Sequence, residues 1–505
     1  MAVLAIDQGT SATKAVVVAD DGSVIGLAEV PVVVHATADG GVELDADALW
    51  TSVVAAGEQA LAAAGRPALH AIGLANQGET VMAWDRATGR PEGPAIVWQD
   101  RRSSSICDAL AHHGPRLAHL TGLELDPYFV APKMAWLRER VAAQLTITTT
   151  DTWLLHRLCG AFVSDVATAG RTLLLDLETG SWSDEACAIF GLHAADLPTV
   201  VGNAQPLGEC STFGGNVPIT GACVDQQAAL FAEGCHTAGE AKCTYGTGAF
   251  MLACTGSTPT RSTNGLVGCP AWRLGDELTW CLDGQVYTVG AAVSWLIDMG
   301  IMSEPADLDH LGGGVADAAG VTFVPALAGL AAPYWKPHAK AAFTGMSLGT
   351  ERGHLVRAAI DGIAAQVALL AQAAGRDLCA PLTRLRVDGG LTRSRTLLQV
   401  QADLLQCPVE VYPSPHATAL GVGAFAALGA GLPAIFALGI RALAYGAGGD
   451  AEVDHEAGHP IGKVLAILCF ALVVIGIALG ITYIVATGFG KTLSFQNFYP
   501  TLVSK

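Results

Sequence analysis

The residues best equipped for chemistry sit in short polar turns between apolar runs. Near the N-terminus, Asp7-Gln-Gly-Thr-Ser-Ala-Thr-Lys14 gathers a carboxylate able to hold Mg2+, a glycine that lets backbone approach an anion, hydroxyls, and a cation for phosphate oxygens. Phosphoryl transfer needs that inventory, because its catalysis rests on positioning and charge stabilisation. Taken alone, the stretch also reads as an ordinary polar hairpin. A second turn, Gly246-Thr247-Gly248, and a strand-glycine-helix junction at Gly389-Gly390 offer two more places where backbone can approach a nucleotide. Asp225, in Gly221-Ala-Cys-Val-Asp-Gln-Gln-Ala-Ala-Leu230, stands where an apolar run opens into an Ala/Leu-rich helix. It reads either as a helix N-cap or as a general base that takes the proton of an acceptor hydroxyl.

The elements that must position these groups alternate strand and helix. Apolar runs at 3–6 and 15–18 flank the first turn and predict a hairpin with its polar groups at the tip. Residues 45–64 predict a capped amphipathic helix, and 71–75 a buried strand. The hairpin pattern returns at 243–254, followed by a strand at 385–388 and a helix from about 394 to 405. This alternation predicts an α/β chain of two related lobes facing one cleft, with a boundary near residue 233.

Composition narrows the choices. A chain of 505 residues is long enough for two or three domains. With 28 Lys+Arg against 46 Asp+Glu the formal charge is −18, and without a basic stripe nucleic acid is excluded as a partner. Charged residues make up only 15% and mean hydropathy is +0.41, which excludes a disordered chain. Thirteen cysteines, an odd number without a C-x-x-C pair, argue against a disulfide framework or zinc site and for buried thiols in a reducing compartment. The N-terminus meets Asp7 without a basic region before it, so no secretory leader is legible and a cytoplasmic catalytic region is expected.

Nine motifs in order, Asp7-Gln-Gly-Thr10, Asn76-Gln-Gly-Glu-Thr80, Ala95-Ile-Val-Trp-Gln-Asp-Arg-Arg102, Asp126-Pro-Tyr-Phe129, Asp151-Thr-Trp-Leu154, Asp225-Gln-Gln-Ala-Ala-Leu230, Thr244-Tyr-Gly-Thr-Gly248, Ala332-Pro-Tyr-Trp335 and Arg386-Val-Asp-Gly-Gly390, resemble the glycerol kinases of the FGGY carbohydrate kinase family. The match spans roughly residues 1 to 430. The resemblance implies two actin-like (ribonuclease H-like) ATPase lobes, 1–233 for substrate and phosphates and 234–433 for nucleotide, closing over Mg-ATP and a small polyol or sugar. It implies that Asp7 holds the magnesium, that Thr10, Ser11 and Lys14 meet the phosphates, and that Asp225 is the base. Thr247, Gly248, Gly290, Gly389, Gly390 and Ser394 would line the ATP site, and Glu79, Trp98, Tyr128, Asp225, Gln226 and Phe250 would contact the acceptor. A homo-oligomer is a further expectation, since family members often form dimers or tetramers.

The chain departs from the family pattern at Gly78, where glycerol kinases carry an arginine that donates to substrate hydroxyls. The lost cation and added volume favour a longer polyol or a ketose, of the erythritol, ribulose or xylulose type, or else weaken glycerol binding. Ser294 and Ser394 replace the usual Gln and Asn on the nucleotide side. The tail departs too: after a linker at 434–463, the run 464–486 carries no charge and is long enough to cross a bilayer core of about 30 Å, with 487–505 beyond it. It reads as a transmembrane helix that could anchor the catalytic region, from either a fusion or a joined reading frame. A membrane-tethered protein that binds nucleotide without turnover is the competing reading, and Asp7 and Asp225 count against it. His455-Glu-Ala-Gly-His459 fits a zinc-protease pattern, but Gly458 and Pro460 spoil the helix and no Asp, Glu or His follows to supply a third ligand. Gly488-Phe-Gly-Lys-Thr492 lacks the first glycine of a P-loop, Val485 standing there.

Overall fold

The computed structural model describes residues 2–432 and 452–453. The apolar run 464–486, the segment 487–505 and the patterns at 455–459 and 488–492 lie outside the described residues. Two sheets carry the architecture. The first is built from β1 (Ala2–Gln8), β2 (Ala12–Ala19), β3 (Val24–Pro31), β4 (Leu69–Asn76), β5 (Ala204–Cys210) and β6 (Val217–Val224), in the order β5-β6-β4-β1-β2-β3. β1, β2 and β3 form an antiparallel meander, while β4 runs parallel to β1 and β6 parallel to β4.

The second sheet repeats the scheme. Its strands are β7 (Ala241–Tyr245), β8 (Ala249–Gly256), β9 (Val267–Leu274), β10 (Glu277–Val286), β11 (Leu385–Asp388), β12 (Val409–Val411) and β13 (Glu452–Val453), in the order β9-β10-β8-β7-β11-β12-β13. β7, β8 and β10 form the meander, and β11 and β12 continue parallel to β7. β13, inside the stretch read as a linker, pairs antiparallel with β12. The doubled order gives the chain two lobes of one plan, as expected for an α/β fold of this class.

Helices cover the faces because their apolar stripes must be buried. Helix α1 (Ala46–Ala63) is capped by Asp45, whose side chain accepts from the Ala48 N–H at 2.7 Å, and it sets Leu49 and Val53 against Leu4, Ile6 and Val17. Four more helices matter below: α2 (Asp225–Ala232), α3 (Gly290–Asp298), α4 (Arg352–Asp377) and α5 (Arg395–Leu405). Among the described residues α4 is the one helix long and apolar enough to cross a membrane, and 72% of its apolar window is buried. Val356, Ile360, Ile363, Val367 and Leu370 pack it into the core of the second sheet.

The last helix among the described residues, α6 (Ala417–Gly429), crosses back to the first sheet, where the Thr220 hydroxyl donates to the Ala426 carbonyl at 2.7 Å. Its approach to α2 leaves no room for a side chain: a Cβ at Gly421 would lie 1.9 Å from the Ala228 carbonyl oxygen. Gly421→Ala should therefore lower stability by about 3 kcal/mol, read by thermal unfolding. A melting temperature within a degree of the parent would show that α6 can lift away from α2 at no cost.

Candidate active site

Parallel strands deliver their functional residues to one edge, because each leaves the sheet at its C-terminal end. β1 ends in the Gln8-Gly9-Thr10-Ser11 turn, β4 in Gln77-Gly78-Glu79, and β6 in Asp225 and Gln226. The ladder aligns these exits, with Gln8 opposite Asn76 and Asn76 opposite Val224. In the second sheet β7 ends in the Gly246–Gly248 turn and β11 in Gly389-Gly390, with Thr244 opposite Asp388.

A cavity of about 190 Å³ opens where the two edges meet. Of the residues expected at the site, Thr10, Ser11, Glu79, Trp98, Tyr128, Asp225, Gln226, Thr247 and Phe250 line it, as does Gly78. The Thr10 hydroxyl accepts from the Trp98 indole N–H at 2.9 Å and donates to Gln77 Oε1 at 3.0 Å, tying the phosphate turn to the wall of the cavity. The Trp98 ring meets Tyr128 and Phe250 edge to face, with centroids 5.9 and 6.0 Å away. Lys133 is buried and donates to the carbonyls of Tyr128 and Phe129, holding the loop that carries this aromatic wall. Burial pushes its ammonium down to about 7, against the pull of Glu79, Asp100 and Asp126.

Asp225 is the first residue of α2, and Val224 occupies the N-cap position, so the side chain does not serve as a cap. Its Oδ1 accepts from the Gln226 N–H at 2.7 Å. Burial, helped by the nearby carboxylates of Asp7 and Glu79, raises the Asp225 carboxyl to about 7. Asp7 is raised to about 6 by burial and by Asp388, partly offset by Lys14, its cross-strand partner. Asp388 Oδ1 is buried with no hydrogen-bond partner among the described residues. A half-buried carboxylate, Asp7, near the buried Asp388 with an oxygen to spare fits a hard divalent cation, which takes one or two carboxylates and fills its shell with phosphate and water.

The remaining expected residues do not line the cavity. Gly246 and Thr247 carbonyls accept from the N–H groups of Gly290 at 3.0 Å and Ala291 at 3.1 Å, so the second turn is bound to the start of α3. Gly389 has φ +96°, and a Cβ there would lie 2.4 Å from the Tyr245 carbonyl oxygen, so only glycine lets β11 turn this close to β7. Gly248 and Gly390 flank these contacts in sequence. Ser394 caps α5, accepting from the Leu397 N–H at 3.2 Å and donating to Asp309 Oδ1 at 3.1 Å.

Besides Lys133 and Asp388, three charged residues of the site were not singled out from the sequence. Arg171, buried, donates through Nε to Glu79 Oε1 at 2.6 Å and pairs through Nη2 with Asp283 Oδ2 at 2.8 Å. It follows the short helix Val166–Ala169, whose first turn is fixed by the Asp165 carboxylate. Burial opposes its charge, but Asp283 and Glu79 outweigh that and raise the guanidinium well above its ordinary value. Glu79, at φ +55°, is held in a backbone conformation that ordinary residues avoid, and burial raises its carboxyl despite Arg171. Lys242, fully buried in β7, donates to Gln226 Oε1 at 2.5 Å and Thr244 Oγ1 at 2.7 Å. The available signal was a lone charge inside an apolar run: Lys242 in Ala241-Lys-Cys-Thr-Tyr245, Asp283 in Trp280-Cys-Leu-Asp-Gly284, and Arg171 before Leu173-Leu-Leu175.

Residues 2–232 match the N-terminal domain of the FGGY family of carbohydrate kinases, and residues 241–430 match its C-terminal domain. A glycerol kinase of Bordetella parapertussis is 42% identical over 450 residues, covering 85% of this chain and 89% of that protein. A glycerol kinase of Thermus brockianus is also 42% identical, over 445 residues, 85% of this chain and 90% of its own. Among solved structures, Plasmodium falciparum glycerol kinase with ADP superimposes with a TM-score of 0.82 at 30% identity, over 90% of this chain and 94% of that one. A xylulose kinase from Lactobacillus acidophilus shares the fold, with a TM-score of 0.85 at 19% identity over 94% of this chain and 98% of that one.

Proposed function

The chain belongs to the FGGY family of carbohydrate kinases, and on that premise we propose that Asp225 is the base by which it moves the terminal phosphoryl group of ATP to a primary hydroxyl of a small polyol or sugar. One observation carries the proposal: Asp225, Glu79, Gln226 and the aromatic wall of Trp98, Tyr128 and Phe250 converge on a single cavity that Thr10, Ser11 and Thr247 also line. Glu79 and Gln226 orient the acceptor through its hydroxyls while the aromatic faces cover its carbon chain. Asp225 takes the hydroxyl proton as the oxygen bonds to the phosphorus and the bond to the bridging oxygen of ADP breaks. Thr10, Ser11 and Lys14 hold the phosphates from the first lobe; Thr247, Gly248, Gly290, Gly389, Gly390 and Ser394, the cap of α5, form the nucleotide side. Asp7, with Asp388 beside it, would hold Mg2+, which neutralises phosphate charge when bound.

A base held at about 7 has a recognisable pH signature. Since only the carboxylate accepts a proton, log(kcat/KM) for the acceptor should rise with pH and level off above about 7, read from ADP release at saturating ATP. A profile already flat from about pH 5.5 would remove Asp225 from that role.

We further propose the division 1–233 and 234–433 for the two lobes, a homo-oligomer, and a catalytic region in the reducing, ATP-rich cytosol, where free thiols persist. The uncharged run 464–486 would supply any bilayer contact.

A further inference from the structure

We infer that Lys242 is a positioning residue for the acceptor: it holds the Gln226 amide by its oxygen, so that Gln226 meets the acceptor only as a donor, through Nε2. The inference rests on the kinase reading above and deepens it. Lys242 is 0% exposed and is not among the residues that line the cavity, so its ammonium does not itself meet the acceptor. Its Nζ donates to Gln226 Oε1 at 2.5 Å and to Thr244 Oγ1 at 2.7 Å, and Gln226 and Thr244 both line the cavity. An ammonium carries three protons and no lone pair, so only the amide oxygen can face it, which fixes the orientation of the Gln226 side chain. The bond is charge-assisted and its donor is buried, the setting in which a hydrogen bond holds a side chain most firmly.

What remains of the amide is its NH2 group. Gln226 is half-buried, and its Nε2 has no hydrogen-bond partner among the described residues yet is not one of the buried atoms left without one, so it keeps accessible surface on a residue that lines the cavity. Asp225 and Gln226 are adjacent at the start of α2 and complement each other: the carboxylate accepts a hydroxyl proton, and the amide nitrogen donates to a hydroxyl oxygen. The bond also crosses between the lobes, because Gln226 follows β6 and Lys242 lies on β7. The second lobe therefore sets how the first lobe reads the acceptor. Without the ammonium the amide is free to turn, and the acceptor must order it on binding, which weakens affinity.

The test uses the full-length protein with ATP and a panel of glycerol, erythritol, ribitol and D-xylulose, taking the acceptor the parent uses best, beside Gln226→Glu, Gln226→Ala, Lys242→Met and the last two combined. Gln226→Glu keeps the length and an oxygen for Lys242 but has no N–H, so at pH 8 it should raise the KM for the acceptor about ten-fold or more and move the KM for ATP by less than about two-fold. An acceptor KM unchanged in Gln226→Glu shows that an oxygen serves there as well as a donor, and overturns the inference. Lys242→Met should raise the acceptor KM about five-fold or more in the parent, but less than about two-fold further in Gln226→Ala, because it acts through that amide. Equal factors in the two backgrounds, or a rise in the KM for ATP alone, make Lys242 a structural residue and overturn the inference while leaving the kinase reading intact. A folded parent that binds ATP and phosphorylates none of the panel overturns both. Should Lys242→Met fail to fold, Gln226→Glu, altered only at a half-buried side chain, decides.

Discussion

Asp225→Asn should turn over about 10²–10⁴-fold more slowly than the parent with any acceptor, and at pH 8 it should melt at a higher temperature. Both effects have the same origin. The carboxyl sits at about 7 in the folded chain, against 3.8 for an ordinary aspartate, because burial and the Asp7 and Glu79 charges oppose ionisation. Below 3.8 the group is protonated in both folded and unfolded chains and contributes nothing to pH dependence. Between 3.8 and about 7 the folded chain keeps a proton that the unfolded chain has lost, so stability falls as pH rises, and above about 7 the full penalty remains. An amide of the same shape escapes that penalty, so the gain should be on the order of 3 kcal/mol at pH 8 and vanish near pH 4. Thermal unfolding at the two pH values checks the stability, and ADP release checks the rate. An inactive variant with unchanged stability at pH 8 would mean that Asp225 is not ionised against its surroundings.

Arg171→Met carries the second large effect, a loss of about 3–5 kcal/mol of stability, because it strands two buried carboxylates that share one cation. Urea unfolding should show a lower midpoint at an unchanged slope, as expected when the folded state alone is weakened. Arg171→Lys should recover only part of the loss, since a single ammonium cannot fork between Glu79 and Asp283 as the guanidinium does. Equal midpoints for the parent and Arg171→Met would show that Glu79 and Asp283 take up protons and need no cation.

What the sequence made legible follows the range of the forces involved. The first hairpin, expected around apolar runs at 3–6 and 15–18, is formed by β1 and β2, and the helix expected over 45–64 is α1, begun by the Asp45 cap. The strand at 385–388 is β11. These elements are set by local alternation and capping. Asp225 was ambiguous because its local sequence suits both a cap and a base; the fold removes the cap by giving that position to Val224. The return of α6 to the first sheet was not legible, since the Thr220 to Ala426 contact joins residues from opposite halves of the chain. Arg171 and Asp283 escaped notice for the same reason, as did their pairing with Glu79: it is created by folding, and no motif spans it. Ser394, placed on the nucleotide side by resemblance, is also the cap of α5, and its bond to Asp309 was not legible because it joins distant parts of the chain.

The most direct test of phosphoryl transfer is product analysis by mass spectrometry after incubating the full-length protein with ATP, Mg2+ and the acceptor panel, beside Asp225→Asn. The result expected is ADP and one phosphorylated acceptor in equal amounts, formed by the parent and at least 10²-fold more slowly by the variant. ATP bound by a folded parent with no phosphorylated acceptor formed would contradict the account and make the chain a nucleotide-binding protein without turnover.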